Sequence, residues 1–79
     1  MSMPAQTKPN LKALGSRIRG LRGNLRQEEL ARRLGVSQGQ LSKVERGRLA
    51  PTLQMLVALA THFDRTLDWI VWGDKKQEK

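Results

Sequence analysis

The fold is decided by the stretch QEELARRLGVSQGQLSKVERG, residues 27–47. Its apolar residues recur at helical spacing on both sides of Gly35, which predicts two short helices, about residues 26–34 and 38–46. Ala31 is small enough for the helices to approach closely, and Gly35 can adopt the positive φ of a sharp bend. The apolar residues expected to hold the second helix against the core are Val36, Leu41 and Val44. This combination predicts a helix-turn-helix.

The second helix of this pair has a polar face that is expected to point away from the core. Its outward residues are Gln38, Gly39, Ser42 and Lys43, with Gln40 at the edge. Ser37 precedes the helix as a favourable N-cap, and Gly47 follows it as a terminator. Taken alone, this face is better explained as the solvated side of an exposed helix than as a binding site.

A further helix is predicted before the pair. Asn10 is its expected N-cap, and Gly23 with Asn24 ends it because both residues tolerate the left-handed backbone conformation. The apolar residues of this first helix lie three and four positions apart: Leu11, Leu14, Ile18 and Leu21. This spacing places them on one helical face.

Two more helices are predicted after the pair, with Thr52 and Thr66 as their N-caps. The residues expected to supply much of the fourth helix's apolar surface are Leu53, Leu56, Val57, Leu59, Ala60 and Phe63. The residues of the fifth helix expected to complete the core are Leu67, Ile70 and Val71. Since no strand-like alternation appears, the sequence predicts an all-α fold, a compact five-helix bundle.

The length of 79 residues fits one small domain, and 38% hydrophobic residues are typical of a globular one. The helical pattern assigns residues 10–73 to this domain. Residues 1–9 and 74–79 have no apolar periodicity, so we expect them to form flexible tails.

The net charge of +8 is concentrated in one part of the chain. Residues 8–48 carry eleven Lys and Arg against three Glu, whereas residues 49–79 carry four basic and four acidic residues. An ordinary solvated surface mixes the two signs, so this separation favours a phosphate-facing surface over chance.

Several classes of site are disfavoured by composition. There is no cysteine and only one histidine, His62, so no metal site is expected. No catalytic constellation, phosphate-cradling glycine loop or nucleophile motif occurs, and we expect neither an enzyme nor a cofactor or small-molecule ligand.

No apolar run approaches the length of a membrane span, and no signal peptide is recognised. The expected location is the cytoplasm, in association with the nucleoid.

Residues 11–73 resemble the lambda-repressor-like, Cro/CI-type (XRE) helix-turn-helix family. The matching residues are Gln27, Leu30, Ala31, Gly35, Val36, Ser37, Leu41, Ser42, Glu45, Gly47, Pro51, Leu53, Leu56, Leu67, Asp68 and Trp69. The resemblance implies double-stranded DNA as the partner, with the third helix in the major groove, and a homodimer on a two-fold symmetric operator.

The resemblance also implies roles for individual residues. The residues implied to contact base edges are Gln38, Ser42 and Lys43. Gln can pair with adenine and Lys with guanine, while Ser can hydrogen-bond to more than one base. The residues implied to contact the DNA backbone are Arg26, Gln27, Ser37, Gln40, Arg46 and Arg48. Arg22 and Glu45 resemble a family pair that ties the third helix to the first.

Three features depart from the family pattern. The link between the first two helices, residues 23–25, is about two residues shorter than the common form. Arg26 stands where a capping Ser or Thr is common, so the cap is weak unless Asn24 or a DNA phosphate completes it. Gly39 replaces a longer polar residue, so one reading contact is absent or replaced by close backbone approach.

The last helix is the family's common dimer contact, and it carries Trp69 and Trp72. These two indoles, with Met55 and Ala58 exposed on the preceding helix, are expected to form an apolar dimer interface. The alternative is that the tryptophans belong to the core of a monomer.

Three functions compete at this point. The leading one is a transcriptional regulator, a repressor with possible autoregulation, that binds a palindromic operator as a dimer. The second is an antitoxin-like module that binds a partner protein and, secondarily, DNA. The third is a nonspecific basic protein that coats nucleic acid or acidic membranes.

Overall fold

The computed structural model describes residues 8–73, which form five α-helices and no strand. The helices are α1 (Leu11–Arg22), α2 (Gln27–Leu34), α3 (Gln38–Glu45), α4 (Leu53–Phe63) and α5 (Leu67–Trp72). The predicted all-α five-helix bundle is therefore confirmed. The predicted tails fall mainly at residues 1–7 and 74–79, outside the described residues, and the domain limits stay a prediction.

Four of the five helices begin at a residue whose side chain accepts a hydrogen bond from the backbone N–H three positions later. These N-caps are the predicted ones: Asn10, Ser37, Thr52 and Thr66. Helix α2 is the exception, because Arg26 makes no side-chain cap bond. Glu28 and Glu29 lie in its first turn, where negative charge interacts favourably with the helix dipole.

All five helices contribute to one apolar core. Its largest fully buried side chains are Ile18, Leu30, Leu41, Val44, Met55, Leu59 and Ile70. Because each helix is too short to be stable alone in water, this shared burial is what keeps the individual helices folded.

The structure corrects the expected exposure of α4 and α5. Met55 is 1% exposed and belongs to the core, whereas Leu53 and Val57 are 69% and 47% exposed. Leu67, expected to complete the core, is 39% exposed. Helix α4 is apolar around much of its circumference, so its sequence does not distinguish the face formed by Met55 and Leu59 from the opposite one.

Helices α1 and α3 touch through their backbones at Gly15. A Cβ at this position would overlap the carbonyl oxygens of Val44 and Glu45. A side chain here would push α3 away from α1, so the glycine sets how closely the two helices approach.

Arg17 joins α1 to the end of α5. Its Nε donates to the carbonyl oxygen of Ile70 at 2.9 Å, and its Nη2 donates to that of Val71 at 2.7 Å. The last carbonyls of a helix lack intrahelical partners, and a cation there also interacts favourably with the helix dipole. Arg17 is therefore a structural contact between α1 and α5.

Replacing Gly15 by alanine is expected to lower the free energy of unfolding by about 1–3 kcal/mol, because the methyl group overpacks the α1–α3 contact. Gly20→Ala is the matched control on the same helix, since a Cβ there would meet nothing within 4 Å. That variant should gain about 0.5–1 kcal/mol from the better helix former. Urea unfolding followed by circular dichroism measures both. Equal stability of the two variants would contradict the close approach.

Candidate nucleic-acid interface

One side of helix α3 packs against the core, and the other side is exposed. Leu41 and Val44 are fully buried, whereas Gln38 and Lys43 are exposed and Ser42 is half-buried. The anchoring residues fix the helix against the core, so the exposed side chains extend from a rigid base. The structure thus brings the three predicted base-reading residues, Gln38, Ser42 and Lys43, onto the exposed side of one helix.

The C-terminal end of α3 is held in place by a buried carboxylate. Glu45 is 7% exposed and accepts two hydrogen bonds from Arg22, from Nε at 2.8 Å and from Nη2 at 3.0 Å. This bidentate ion pair confirms the predicted contact between α1 and α3. Gln27 donates a third bond to Glu45, from Nε2 to Oε1 at 2.9 Å, so α2 joins the same carboxylate.

The hydrogen-bond network continues from this carboxylate to the exposed face. The Nε2 of Gln38 donates to Oε1 of Gln27 at 3.2 Å. A glutamine amide has two N–H donors and a carbonyl acceptor, so Gln38 keeps one donor and its Oε1 for another partner. That remaining pair is what a bidentate contact with an adenine edge requires. Gln27 likewise keeps one N–H donor.

Four cationic side chains surround this face, and all four are exposed: Arg26, Lys43, Arg46 and Arg48. Arg46 follows α3 directly, and its Nε donates to the carbonyl oxygen of Ser42 at 3.4 Å. The backbone N–H of Arg48 donates to the carbonyl oxygen of Lys43 at 2.8 Å, which folds the chain back after the helix. Within residues 8–73, no ion pair joins any of these four cations to an acidic side chain.

Ser37 and Gln40, both predicted backbone contacts, are already engaged with each other. The Ser37 hydroxyl oxygen accepts a hydrogen bond from the Gln40 backbone N–H at 3.1 Å. The hydroxyl hydrogen of Ser37 and the side-chain amide of Gln40 are not used by this bond, so both retain donors.

The predicted dimer residues are only partly accessible. Trp69 and Trp72 are half-buried, and Trp69 packs against the core with the Arg65 guanidinium 4.3 Å from its ring centroid. The more exposed large apolar side chains, none of which the sequence assigned to the dimer interface, are Leu49, Leu53, Val57 and Leu67. The four-residue spacing of Leu53 and Val57 could have indicated an exposed apolar patch, because it places the two side chains on the same side of α4.

Other candidate chemistry is not found in residues 8–73. No group of three or more His, Asp or Glu within this range is arranged to hold a metal ion. None of its helices combines the length and apolar character needed to cross a membrane. His62 lies beside Arg33, whose Nη1 is 3.3 Å from His62 Nε2 and whose Nη2 pairs with Glu29 at 3.2 Å.

A family model described as Helix-turn-helix matches residues 17–70. The chain belongs to this helix-turn-helix family. The HTH-type transcriptional regulator DicA of Escherichia coli (strain K12) is 37% identical over 67 residues, covering 82% of this chain and 50% of DicA. The chain thus spans half the length of that relative.

Several solved structures are also similar to this chain. The P22 c2 repressor, in complex with a synthetic operator, has 35% identity and a TM-score of 0.71, covering 77% of this chain and 96% of that one. The restriction-modification controller protein C.AhdI from Aeromonas hydrophila has 33% identity and a TM-score of 0.68, with 77% and 91% covered. The predicted resemblance to Cro/CI-type helix-turn-helix proteins is therefore confirmed. This family and fold are those of DNA-binding transcription regulators and not of enzymes.

The buried network of this helix-turn-helix makes a specific stability prediction. Arg22→Met should lower the free energy of unfolding by about 3–5 kcal/mol, because Glu45 is left as a buried charge without its ion-pair partner. The double variant Arg22→Met/Glu45→Met should recover part of that loss, since apolar residues can replace a buried pair at little cost. Urea unfolding of both variants and of the single variant Glu45→Met measures the difference. A double variant that loses the sum of the two single losses would contradict this coupling.

Proposed function

We propose that the protein is a sequence-specific regulator of transcription that acts as a repressor by occupying an operator in duplex DNA. The observation that supports this most directly is the hydrogen-bond network from Glu45 through Gln27 to Gln38. It holds an exposed amide on α3 in one orientation while leaving a donor and an acceptor for a base. A solvated helix face has no need for such orientation.

The proposed base contacts divide among three residues of α3. Gln38 pairs with adenine through its free donor and acceptor, and Lys43 donates to guanine O6 or N7. Ser42 lies on the same side and is permissive, since its hydroxyl both donates and accepts. Specificity then rests mainly on Gln38 and Lys43.

The proposed DNA-backbone contacts surround these base readers. Gln27 offers its remaining N–H to a phosphate at the start of α2. The other residues in this group are Arg26, Ser37, Gln40, Arg46 and Arg48. Arg26 has a second role here, because a phosphate bound beside it would satisfy the amides that no side chain caps.

We propose that two copies bind a palindromic operator and that α5 forms the contact between them, including Trp69 and Trp72. Charge supports this arrangement, because residues 49–79 carry equal numbers of acidic and basic residues while the excess of positive charge lies in residues 8–48. Two copies can thus approach at α5 with little net repulsion. The half-exposed Leu67 begins the same helix and extends its apolar surface.

We also propose that the protein represses its own gene. Binding to its own promoter would make repression depend on the concentration of the protein. A structurally similar protein, C.AhdI, is a restriction-modification controller protein. A second candidate function is binding of a partner protein, as in an antitoxin. The exposed Leu53 and Val57 favour it, because they give α4 an apolar surface of its own besides that proposed on α5.

Selection of bound duplexes from a random library at physiological salt should recover a preferred sequence, and Gln38→Ala should then cost about 1–3 kcal/mol on it and relax one base position. Arg48→Ala is the matched control. It should weaken operator and random DNA alike and reduce the slope of log K against log salt by about 1. Equal losses on both DNAs for both variants would contradict the base-reading role of Gln38.

The dimer contact is tested by placing aspartate at two equivalent positions. Leu67 and Leu53 are both exposed first residues of helices, where a carboxylate suits the helix dipole and should leave the fold intact. Leu67→Asp should raise the dimer dissociation constant about tenfold or more, since a charge enters the apolar contact, whereas Leu53→Asp should not. Sedimentation equilibrium measures both constants.

The opposite result, loss of the dimer only with Leu53→Asp, would assign the contact to α4. A wild-type protein that stays monomeric with and without operator DNA would instead favour the partner-protein function. For a dimer, the selected half-sites should lie about 10 bp apart, or a multiple, from centre to centre.

A further inference from the structure

Two of the seven glycines stand where the fold does not require them. A Cβ added to Gly20 or Gly39 would meet no atom within 4 Å, and neither residue has a positive φ. Glycine destabilises a helix relative to alanine, so the fold itself would favour a side chain at both positions. Gly39 differs from Gly20 because it lies in α3, on the surface proposed to face DNA.

Gly39 occupies the middle of the exposed arc of α3. Residues in a helix turn by about 100° each, so Gly39 lies about 60° from Ser42 on one side and about 40° from Lys43 on the other. Gln38 lies beyond Ser42 on the same side. Polar side chains thus border a position at which the helix backbone is bare and exposed.

The chemistry of this gap restricts what it can receive. The Cα of Gly39 is aliphatic and offers no strong hydrogen-bond donor or acceptor, unlike the side chains beside it. In the major groove, the one apolar group that projects from a base edge is the methyl group on C5 of a pyrimidine, as in thymine. Apolar carbons pack at about 4 Å, so a methyl carbon in contact with this Cα would lie too close to any Cβ added at residue 39.

We propose that Gly39 receives the C5 methyl group of a pyrimidine in each half of the operator. The inference rests on the proposed function and adds the chemical group that this part of α3 selects. Gly39 is then a specificity-determining residue through the side chain that it lacks. A hydrogen atom at C5 would leave the gap unfilled, and a side chain at residue 39 would collide with the methyl group.

The test uses the full chain and operator duplexes that differ by one methyl group at the pyrimidine facing Gly39. The four duplexes carry thymine, deoxyuridine, 5-methylcytosine or cytosine at that position, identified as the position whose preference changes in a selection with Gly39→Ala. Wild-type protein should bind the thymine duplex about fourfold more tightly than the deoxyuridine duplex, the ratio expected for burial of one methyl group. Gly39→Ala should bind the thymine duplex about tenfold more weakly than wild type does, because its Cβ overpacks the contact. It should bind the deoxyuridine duplex as tightly as wild type does.

Gly20→Ala controls for a general effect of alanine in a helix and should bind all four duplexes as wild type does. Thermal unfolding of both alanine variants should show melting temperatures no lower than that of wild type. If 5-methylcytosine binds as thymine does, the methyl group alone is recognised; if only thymine binds tightly, its methyl group and a neighbouring polar contact act together.

Equal losses by Gly39→Ala on the thymine and deoxyuridine duplexes would overturn the proposal, as would equal binding of the two duplexes by wild type. A selection with Gly39→Ala that returns the wild-type preference at every position would overturn it as well. None of these three outcomes would contradict sequence-specific DNA binding itself. A wild-type protein that selects no sequence at all would reject the proposed function itself, and the inference with it.

Discussion

The arrangement of α1, α2 and α3 depends on the buried carboxylate of Glu45. Removing a carboxylate from water is costly unless its oxygens are hydrogen-bonded, and here three donors from two other helices bind it. Because Arg22 and Gln27 must both reach the same group, the relative position of the three helices is restricted. A shift of α3 by even 1 Å would lengthen these bonds and leave charge unsatisfied.

This restriction is possible only because α1 and α3 lie so close together. Gly15 allows their backbones to touch, and Arg22 lies two turns further along the same side of α1, opposite Glu45. The contact at Gly15 sets the distance between the two helices, and the ion pair places Glu45 opposite Arg22. Together they turn a short helix into a rigid platform, and Gln27 extends that rigidity to Gln38 at the surface.

The sequence predicted contacts between residues close together in the chain better than contacts between residues far apart in it. The caps at Asn10, Ser37, Thr52 and Thr66 were predictable because the capping bond spans three residues. The bond from Arg17 to α5 was not, because its acceptors lie 53 and 54 residues away. The core face of α4 was predicted only in part, with Leu59 but without Met55, because a helix that is apolar around much of its circumference gives no clear period by which burial can be assigned. The family resemblance implied the Arg22–Glu45 pair but gave no sign of the third bond, from Gln27.

The separation of charge along the chain follows from the two proposed contacts. A surface that binds phosphates must be strongly positive, and the same charge opposes the approach of a second copy. If both contacts used one surface, each would weaken the other. With the basic excess in residues 8–48 and balanced charge in residues 49–79, the proposed DNA binding at α2 and α3 and the proposed self-association at α5 do not compete. Arg17 then matters beyond stability, because it ties the helix proposed for self-association to α1, which itself holds α3.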